Sequence, residues 1–261
     1  MLFAILTIGA NAAAGVSVYI DGVRFYGGVQ VNYDTTYVAI RKFSAAMYSD
    51  ARVTYNYSTR TLSVKTQSLT LECTDGYNYI VANGRYLYTE QPIYMKGGVM
   101  YAPVMLLAKA FDAKISWDSS IHGFRIQRGS GGILSGARYY DNDEVYWLSK
   151  IISAESQGEP LRGKIAVGNV ILNRVRSSAY PNTIYGVIFD KRYGIQFSPV
   201  SNGTIYNPAT AQSIIAAKIC LERYSINNKM IYFINPKKAP NSWVSKNRPY
   251  VMTIGNHTFY S

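Results

Sequence analysis

Two glutamates four residues apart, Glu155 and Glu159, stand at the mouth of an apolar run in SAESQGEPLRGKIAVGNVILNRV, Ser153 to Val175. A carboxyl group in such a place can cap a helix, sit on the surface or carry out acid–base chemistry. Glu155 closes an apolar helical pattern between Ala154 and Ser156. Burial there raises a carboxyl pKa toward the pH of use and keeps the group protonated as a general acid. Glu159 directly precedes Pro160, where an acidic residue complements the positive end of the following helix. Its first reading is therefore structural, and its second is a partner carboxylate at the same site.

The second half of the chain offers few competing chemistries. His257 is the only histidine after residue 122. No HExxH or other zinc site can be assembled from this half, and a Ser/His/Asp triad would depend on one residue. Cys220 with His257 is a formal nucleophile–base pair, but Cys220 lies within SIIAAKICLERY, the pattern of a buried structural thiol. No phosphate-cradling glycine motif follows a strand, which removes the warrant for nucleotide chemistry. From residue 129 onward seven carboxylates remain: Asp141, Asp143, Glu144, Glu155, Glu159, Asp190 and Glu222. The first three lie in or beside a glycine-rich stretch, and Glu222, next to Arg223, reads as an ordinary solvated residue. Neither a metal nor a cofactor is expected.

These side chains need a scaffold, and 261 residues suffice for two cores. From Val16 to Arg128 the sequence alternates in strand fashion, as in VSVYIDGVRF and ARVTYNYSTRTLSVKT, with turn signals at Asp21-Gly22 and Asn83-Gly84. The region also repeats. TTYVAIRKFSAAMYSDARVTYNYSTRTLSV can be laid over GVMYAPVMLLAKAFDAKISWDSSIHGFRI, with Tyr37 on Tyr101, Ala51 on Ala113, Tyr55 on Trp117 and Leu62 on Phe124. Each unit reads as strand, short helix, strand, turn, strand. The glycine-rich residues 129–143 read as a linker.

Residues 144–261 then read as a mainly helical domain. EVYWLSKIISAES places Val145, Leu148, Ile151 and Ile152 on one face. Pro160 suits the first position of the next helix, and Asn207 with Pro208 suits the start of another. The segment from Met230 reads as irregular and aromatic.

With 27 basic and 15 acidic residues the net charge is +12, which points to a polyanionic partner: nucleic acid, an acidic membrane or an anionic wall polymer. The basic residues are scattered, without the blocks or helical stripe of a nucleic-acid face, so no nucleic-acid partner is expected. Cys73 and Cys220 lie too far apart to suggest a disulfide framework. MLFAILTIGANAAAG reads over residues 1–14 as an export signal, truncated at its start because no Lys or Arg precedes the apolar run. The run is too short for stable membrane insertion, which takes roughly 20 residues.

The duplicated first half resembles the copper amine oxidase N-terminal-like, or stalk, domain of exported Gram-positive proteins. The resemblance implies attachment or spacing, with a wall polymer or a protein as the partner of residues 16–128. Copper binding is not implied, because His122 stands alone. The second half is similar to the SleB-type cell wall hydrolases, the spore cortex-lytic enzyme family. The motifs that carry this are Glu155 between small residues; Gly158-Glu159-Pro160; Ala166 to Val175; Pro181 to Thr183; Asn235-Pro236; Trp243; Arg248-Pro249; and Gly255, His257 and Phe259. Ser156 and Gln157, Leu161 and Arg162, and Ser198 and Pro199 depart from the usual family residues, which bears on substrate preference.

This resemblance implies a lysozyme-like lytic transglycosylase fold that degrades peptidoglycan at the bond between N-acetylmuramic acid and N-acetylglucosamine. It also implies secretion to the cell wall or spore cortex of a Gram-positive bacterium. Glu155 would be the catalytic acid, with Gln196, Phe197, Ser198, Tyr232, Asn235, Ser242 and Trp243 contacting the glycan. The excess of 15 basic over 7 acidic residues in residues 129–261 suits that polymer. Three alternatives stand beside this reading. One is a muramidase that uses water with Glu159 or Asp190 as second carboxylate, and another is an N-acetylmuramoyl-L-alanine amidase. The third is a non-catalytic wall or spore-coat binding protein, suggested by 24 tyrosines.

Overall fold

The computed structural model describes residues 15–192 and 194–261, so the export signal expected over residues 1–14 lies outside the described residues. The chain divides into two compact units. One holds residues 15–83 and 87–133; the other holds residues 84–86 and 134–261.

The first unit is mostly β. Its strands are β1 (Ser17–Ile20), β2 (Val23–Arg24), β3 (Val29–Asn32), β4 (Thr35–Ala39), β5 (Arg52–Asn56), β6 (Thr61–Lys65), β7 (Thr70–Thr74), β8 (Tyr79–Ala82), β9 (Arg85–Tyr88, whose first two residues cluster with the other unit), β10 (Tyr94–Lys96), β11 (Val99–Pro103), β12 (Lys114–Asp118) and β13 (Gly123–Gln127). Helix α1 (Ile40–Met47) follows β4 and α2 (Val104–Ala110) follows β11. The duplication is visible in the backbone, for β4-α1-β5-β6 is matched by β11-α2-β12-β13. The two copies meet through antiparallel β4 and β11, where Val38 pairs with Ala102. Those two residues occupy equivalent positions in the repeat, which is what a two-fold relation between the copies requires. Ile40, Phe43 and Met47 on α1 and Val104, Leu107 and Phe111 at the same places in the second copy are all buried in one core. The Asp21-Gly22 and Asn83-Gly84 turns have positive φ at both positions, the primed geometry that matches hairpin twist.

The glycine-rich stretch expected as a linker is ordered. Ile133 is buried and its N–H donates to Ala110 O (3.1 Å), while Gly129 O accepts from the Tyr48 hydroxyl (2.8 Å). Residues 136–139 form the short helix α3 (Gly136–Tyr139). Small residues here let the backbone pack closely rather than keeping it loose.

The second unit is mainly α. It contains α4 (Asn142–Ser156), α5 (Leu161–Arg176), α6 (Ile184–Ile188), α7 (Ser198–Asn202), α8 (Ala211–Leu221) and α9 (Trp243–Asn247). Asp141 caps α4 by accepting from the N–H groups of Asp143 and Glu144 (2.8 and 3.0 Å). Helices α4, α5 and α8 pack against one another with Gly168 at their junction: a Cβ there would lie 2.7 Å from Cys220 Sγ and 2.8 Å from Ile152 Cδ1. Cys220 is a buried free thiol in this helix, as is Cys73 in the other unit.

Three local expectations are corrected. Pro160 is the capping residue of α5 rather than its first residue. Helix α8 starts at Ala211, not at Asn207-Pro208, because Thr210 Oγ1 accepts from Ser213 N (3.2 Å) while Lys150 Nζ draws the carbonyls of Tyr206 and Asn207 away (3.0 and 2.8 Å). The segment after Met230 is not irregular throughout. It forms a sheet of β14 (Tyr232–Ile234), β15 (Tyr250–Ile254) and β16 (His257–Tyr260), with β16 in the middle.

Helix α5 explains how that sheet is held. Its buried polar residues complete backbone hydrogen bonds of the loop that leads into β14. Asn169 accepts from Ile226 N (2.8 Å) and donates to Tyr224 O (2.9 Å), Asn173 donates to Asn227 O and Met230 O (3.0 and 2.9 Å), and Arg174 Nε donates to Ile231 O (2.8 Å).

Candidate active site

Glu155 projects from the last turn of α4 and is half-buried. Among the described residues no hydrogen-bond donor reaches its carboxyl. Loss of hydration therefore dominates and pushes its pKa up to about 7, with the Lys238 ammonium pulling the other way. The turn after it is fixed by Lys164 of α5, a buried ammonium that donates to Gln157 O (2.8 Å) and to Glu159 O. A cavity of about 280 Å³ opens on the neighbouring face of α4, lined by Lys150, Ser153, Ala154 and Gln157 and, across from them, Thr204, Asn207 and Pro208.

Glu159 has a different environment. It is buried, and both oxygens are engaged: Oε2 accepts from Asn256 N and Oε1 from Asn256 Nδ2, each at 3.0 Å. Burial alone would raise its pKa, but the two Asn256 hydrogen bonds, with His257 and Lys164, outweigh it and hold the pKa below the ordinary carboxylate value. Glu159 thus pins the turn between β15 and β16 to the start of α5. Gly255 in that turn is required by the same contact, since a Cβ would stand 1.9 Å from Glu159 Oε2 and the backbone has φ +58°. The sequence pattern Gly-x-His is in this respect the imprint of a buried carboxylate.

Glu159→Gln is expected to keep wall-cleaving activity within a few-fold of wild type while lowering unfolding stability by about 2 kcal/mol at pH 7. The sign follows from the depressed folded pKa. The contribution is present above the unfolded value near 4.5 and is lost as pH falls through the folded value. Denaturant melts at pH 7 and pH 3 check this, because the wild-type advantage should shrink in acid.

His257, the next residue, is buried on β16 with its ring 5.3 Å from that of Phe233. Burial lowers its pKa and Lys238 acts in the same direction, against the attraction of Glu159. Its Nδ1 has no hydrogen-bond partner among the described residues. Asp190 is committed elsewhere, pairing with the Arg192 guanidinium (2.9 Å) and accepting from Arg192 N (3.0 Å). Glu222, expected to be solvated, is buried instead. Its carboxylate accepts from the Arg85 guanidinium, one of the three residues 84–86 that cluster with this unit, and from the Tyr140 hydroxyl (3.0 Å).

The glycan-contact residues expected from the sequence fall into two groups. Gln196, Ser198 and Trp243 are exposed, Trp243 by 59%. The others carry structural contacts. Phe197 is 3% exposed and packs on Phe233, so it supports the surface rather than forming it. Asn235 Oδ1 accepts from the N–H groups of Lys237 and Lys238, and Ser242 Oγ caps α9 by accepting from Val244 N (3.2 Å). Tyr232 is half-buried, its hydroxyl 3.2 Å from that of Tyr180. The Arg174 and Arg248 guanidinium carbons lie 5.4 and 4.8 Å from its ring centre. Arg174, which sequence reasoning did not single out, also faces Tyr180 and Phe197 at 5.0 and 5.2 Å, so one buried cation braces aromatic rings from three segments. Its signal in the sequence was a lone arginine within the apolar helix GNVILNRV.

Comparison with known proteins assigns both halves. Residues 158–260 match the Cell Wall Hydrolase family, and residues 21–124 match the Copper amine oxidase N-terminal domain. The second half thus carries a cell wall hydrolase domain, and the first half a domain of the copper amine oxidase N-terminal type. The spore cortex-lytic enzyme of Bacillus cereus is 34% identical over 120 residues, which is 46% of this chain and 45% of that protein. The spore cortex-lytic enzyme of Bacillus subtilis strain 168 is 31% identical over 120 residues, 46% of this chain and 38% of its own length. The chain thus spans less than half the length of these two curated relatives. Among solved structures, the catalytic domain of the germination-specific lytic transglycosylase SleB from Bacillus anthracis is 33% identical, with a TM-score of 0.43. That match covers 49% of this chain and 100% of that domain. The family match begins at Gly158, just past Glu155, whose role rests on its own geometry. Among the described residues no group of three His, Cys, Asp or Glu side chains gathers.

Proposed function

We propose that the second unit cleaves the glycan strands of peptidoglycan between N-acetylmuramic acid and N-acetylglucosamine, as a lytic transglycosylase acting in the spore cortex or cell wall. The observation that carries this is Glu155, a half-buried carboxyl without hydrogen-bond donors whose pKa stands near neutrality. Such a group is protonated when substrate arrives and can donate to the glycosidic oxygen. As the bond from C1 to that oxygen breaks, the 6-hydroxyl of the same muramic acid attacks C1 and forms the new C1–O6 bond. Its proton returns to Glu155. No water is consumed, and the product ends in 1,6-anhydro-muramic acid.

The commitment of the other two carboxylates supports this route over hydrolysis. Most glycosidases set a second carboxyl about 5 to 9 Å across the bond. Here Glu159 has both oxygens bound to Asn256, and Asp190 is paired with Arg192. The spore cortex-lytic enzymes and the lytic transglycosylase domain that the chain matches are consistent with the same reading. Mass analysis of fragments released from purified cortex-type peptidoglycan is the test. Disaccharide products lighter by one water than the hydrolysed form, with no reducing end, are expected. Reducing muramic ends would establish a muramidase, and released peptides with intact glycan an amidase; either result overturns the proposal.

A further inference from the structure

We propose that the first unit carries its own binding site for peptidoglycan glycan strands, in a groove between α1, the β5–β6 hairpin and the β10–β11 hairpin. The choice of polymer rests on the wall-cleaving reading of the second unit; the chemistry of the groove does not. Its volume is about 510 Å³, within the range of ligand sites. Leu62 and Met95 line its apolar part. Tyr55 and Tyr57 stand over it edge to face, with ring centres 4.9 Å apart and planes at 89°, and Tyr57 is 86% exposed. Two rings held in this way offer a flat face and hydroxyl groups together, which suits the apolar CH face and the hydroxyls of a sugar ring.

Charge settles the class of sugar polymer. Arg41 and Lys42, both exposed on α1, are the only charged residues among those that line the groove. Arg41 NH1 donates to Val53 O (3.1 Å), which aims the side chain along the β5 edge. Beside the groove, Asp75 accepts from Met95 N (3.1 Å) and is already paired with Arg60. A glycan bearing carboxylates supplies both the flat apolar face and the anion. An acidic peptide supplies only the second.

The internal duplication provides a control built into the chain. At the places of Arg41 and Lys42 the second copy has Met105 and Leu106, while Trp117 stands in place of Tyr55. The aromatic position is kept in both copies and the cations occur in one. Lys42 is exposed while its counterpart Leu106 is buried in the core, so the cationic groove belongs to the first copy alone.

The test uses the full chain carrying Glu155→Gln, so that binding is read without cleavage, in co-sedimentation with peptidoglycan stripped of phosphate-linked wall polymers by hydrofluoric acid. Adding Lys42→Ala and Tyr57→Ala, both at exposed side chains, is expected to weaken binding about tenfold with an unchanged melting temperature. Met105→Ala in the second copy is expected to change it less than twofold. Equal binding by the groove variant overturns the proposal. So does binding that disappears on stripping, which would mark a phosphate polymer as ligand, or binding competed by poly-glutamate and not by glycan fragments. If the wild type releases no wall fragments while groove-dependent binding persists, the cleavage reading fails and this one stands.

Discussion

Glu155→Gln is expected to lower the release of soluble fragments from peptidoglycan by about 10²–10⁴-fold, the usual worth of a positioned general acid, with binding of the wall unchanged. Glutamine fills the same volume and keeps a polar end but has no proton to transfer, so the loss should appear in kcat and not in KM. Two pH effects belong with this result. In the wild type the protonated fraction reaches one half near pH 7, so kcat/KM should fall toward tenfold per unit on the alkaline side. The same residue weakens the fold where it is ionised. Its folded pKa of about 7 lies above the ordinary carboxyl value of 4.5, so folding binds a proton, and stability declines as pH rises from 4.5 through 7. At pH 8 the glutamine variant should therefore be more stable than wild type, by about 2 kcal/mol, and the difference should vanish near pH 4. A variant equally inactive at all pH values but less stable at pH 8 would mean that Glu155 is a structural hydrogen-bonding group.

Gly255→Ala is expected to cost about 3 kcal/mol or more of stability. Two independent penalties act on one residue. The backbone stands at φ +58°, and the added carbon would fall 1.9 Å from Glu159 Oε2 and 3.2 Å from Pro160 Cδ. Neither neighbour can yield freely, because Glu159 is held by Asn256 and Pro160 caps α5. Urea melts measure the loss. Pairing the change with Glu159→Ala separates the two causes: removing the carboxylate relieves the collision but not the dihedral, so the double variant should lose less than the sum of the single ones. Additive losses would show that the turn can move away from α5 without harm.

The legible parts of this molecule were those written in local pattern. Period-two alternation, the Asp21-Gly22 and Asn83-Gly84 turns and the self-match of residues 35–64 with 98–126 suffice for a mostly β, duplicated first half. The apolar stripe of α4 and the small residues around Glu155 suffice to single out that carboxyl. Long-range partners were not legible. Nothing near Glu159 in sequence announces Asn256, and nothing near Glu222 announces Tyr140, so one carboxylate was left with an open second role and the other was read as solvated. The polar residues Asn169, Asn173 and Arg174 look like interruptions of an apolar helix until the loop whose backbone they complete is seen. The strands β14–β16 escaped because they are short and aromatic, and because β14 is separated from its partner strand by α9.

The clamp between Glu159 and Asn256 also has a consequence in time. Its two ends are 97 residues apart, a loop whose closure is slow and entropically costly, whereas α4 and α5 can form from local contacts. Lys164 secures the corner beyond Glu155 from a few residues away in sequence, whereas the carboxylate of Glu159 has its partners only once the turn before β16 is in place. The helices that carry the acid can therefore assemble early, and the environment that completes the site is added late. A folding intermediate with native α4 and α5 would have its helical signal in place and its wall-degrading capacity still to come.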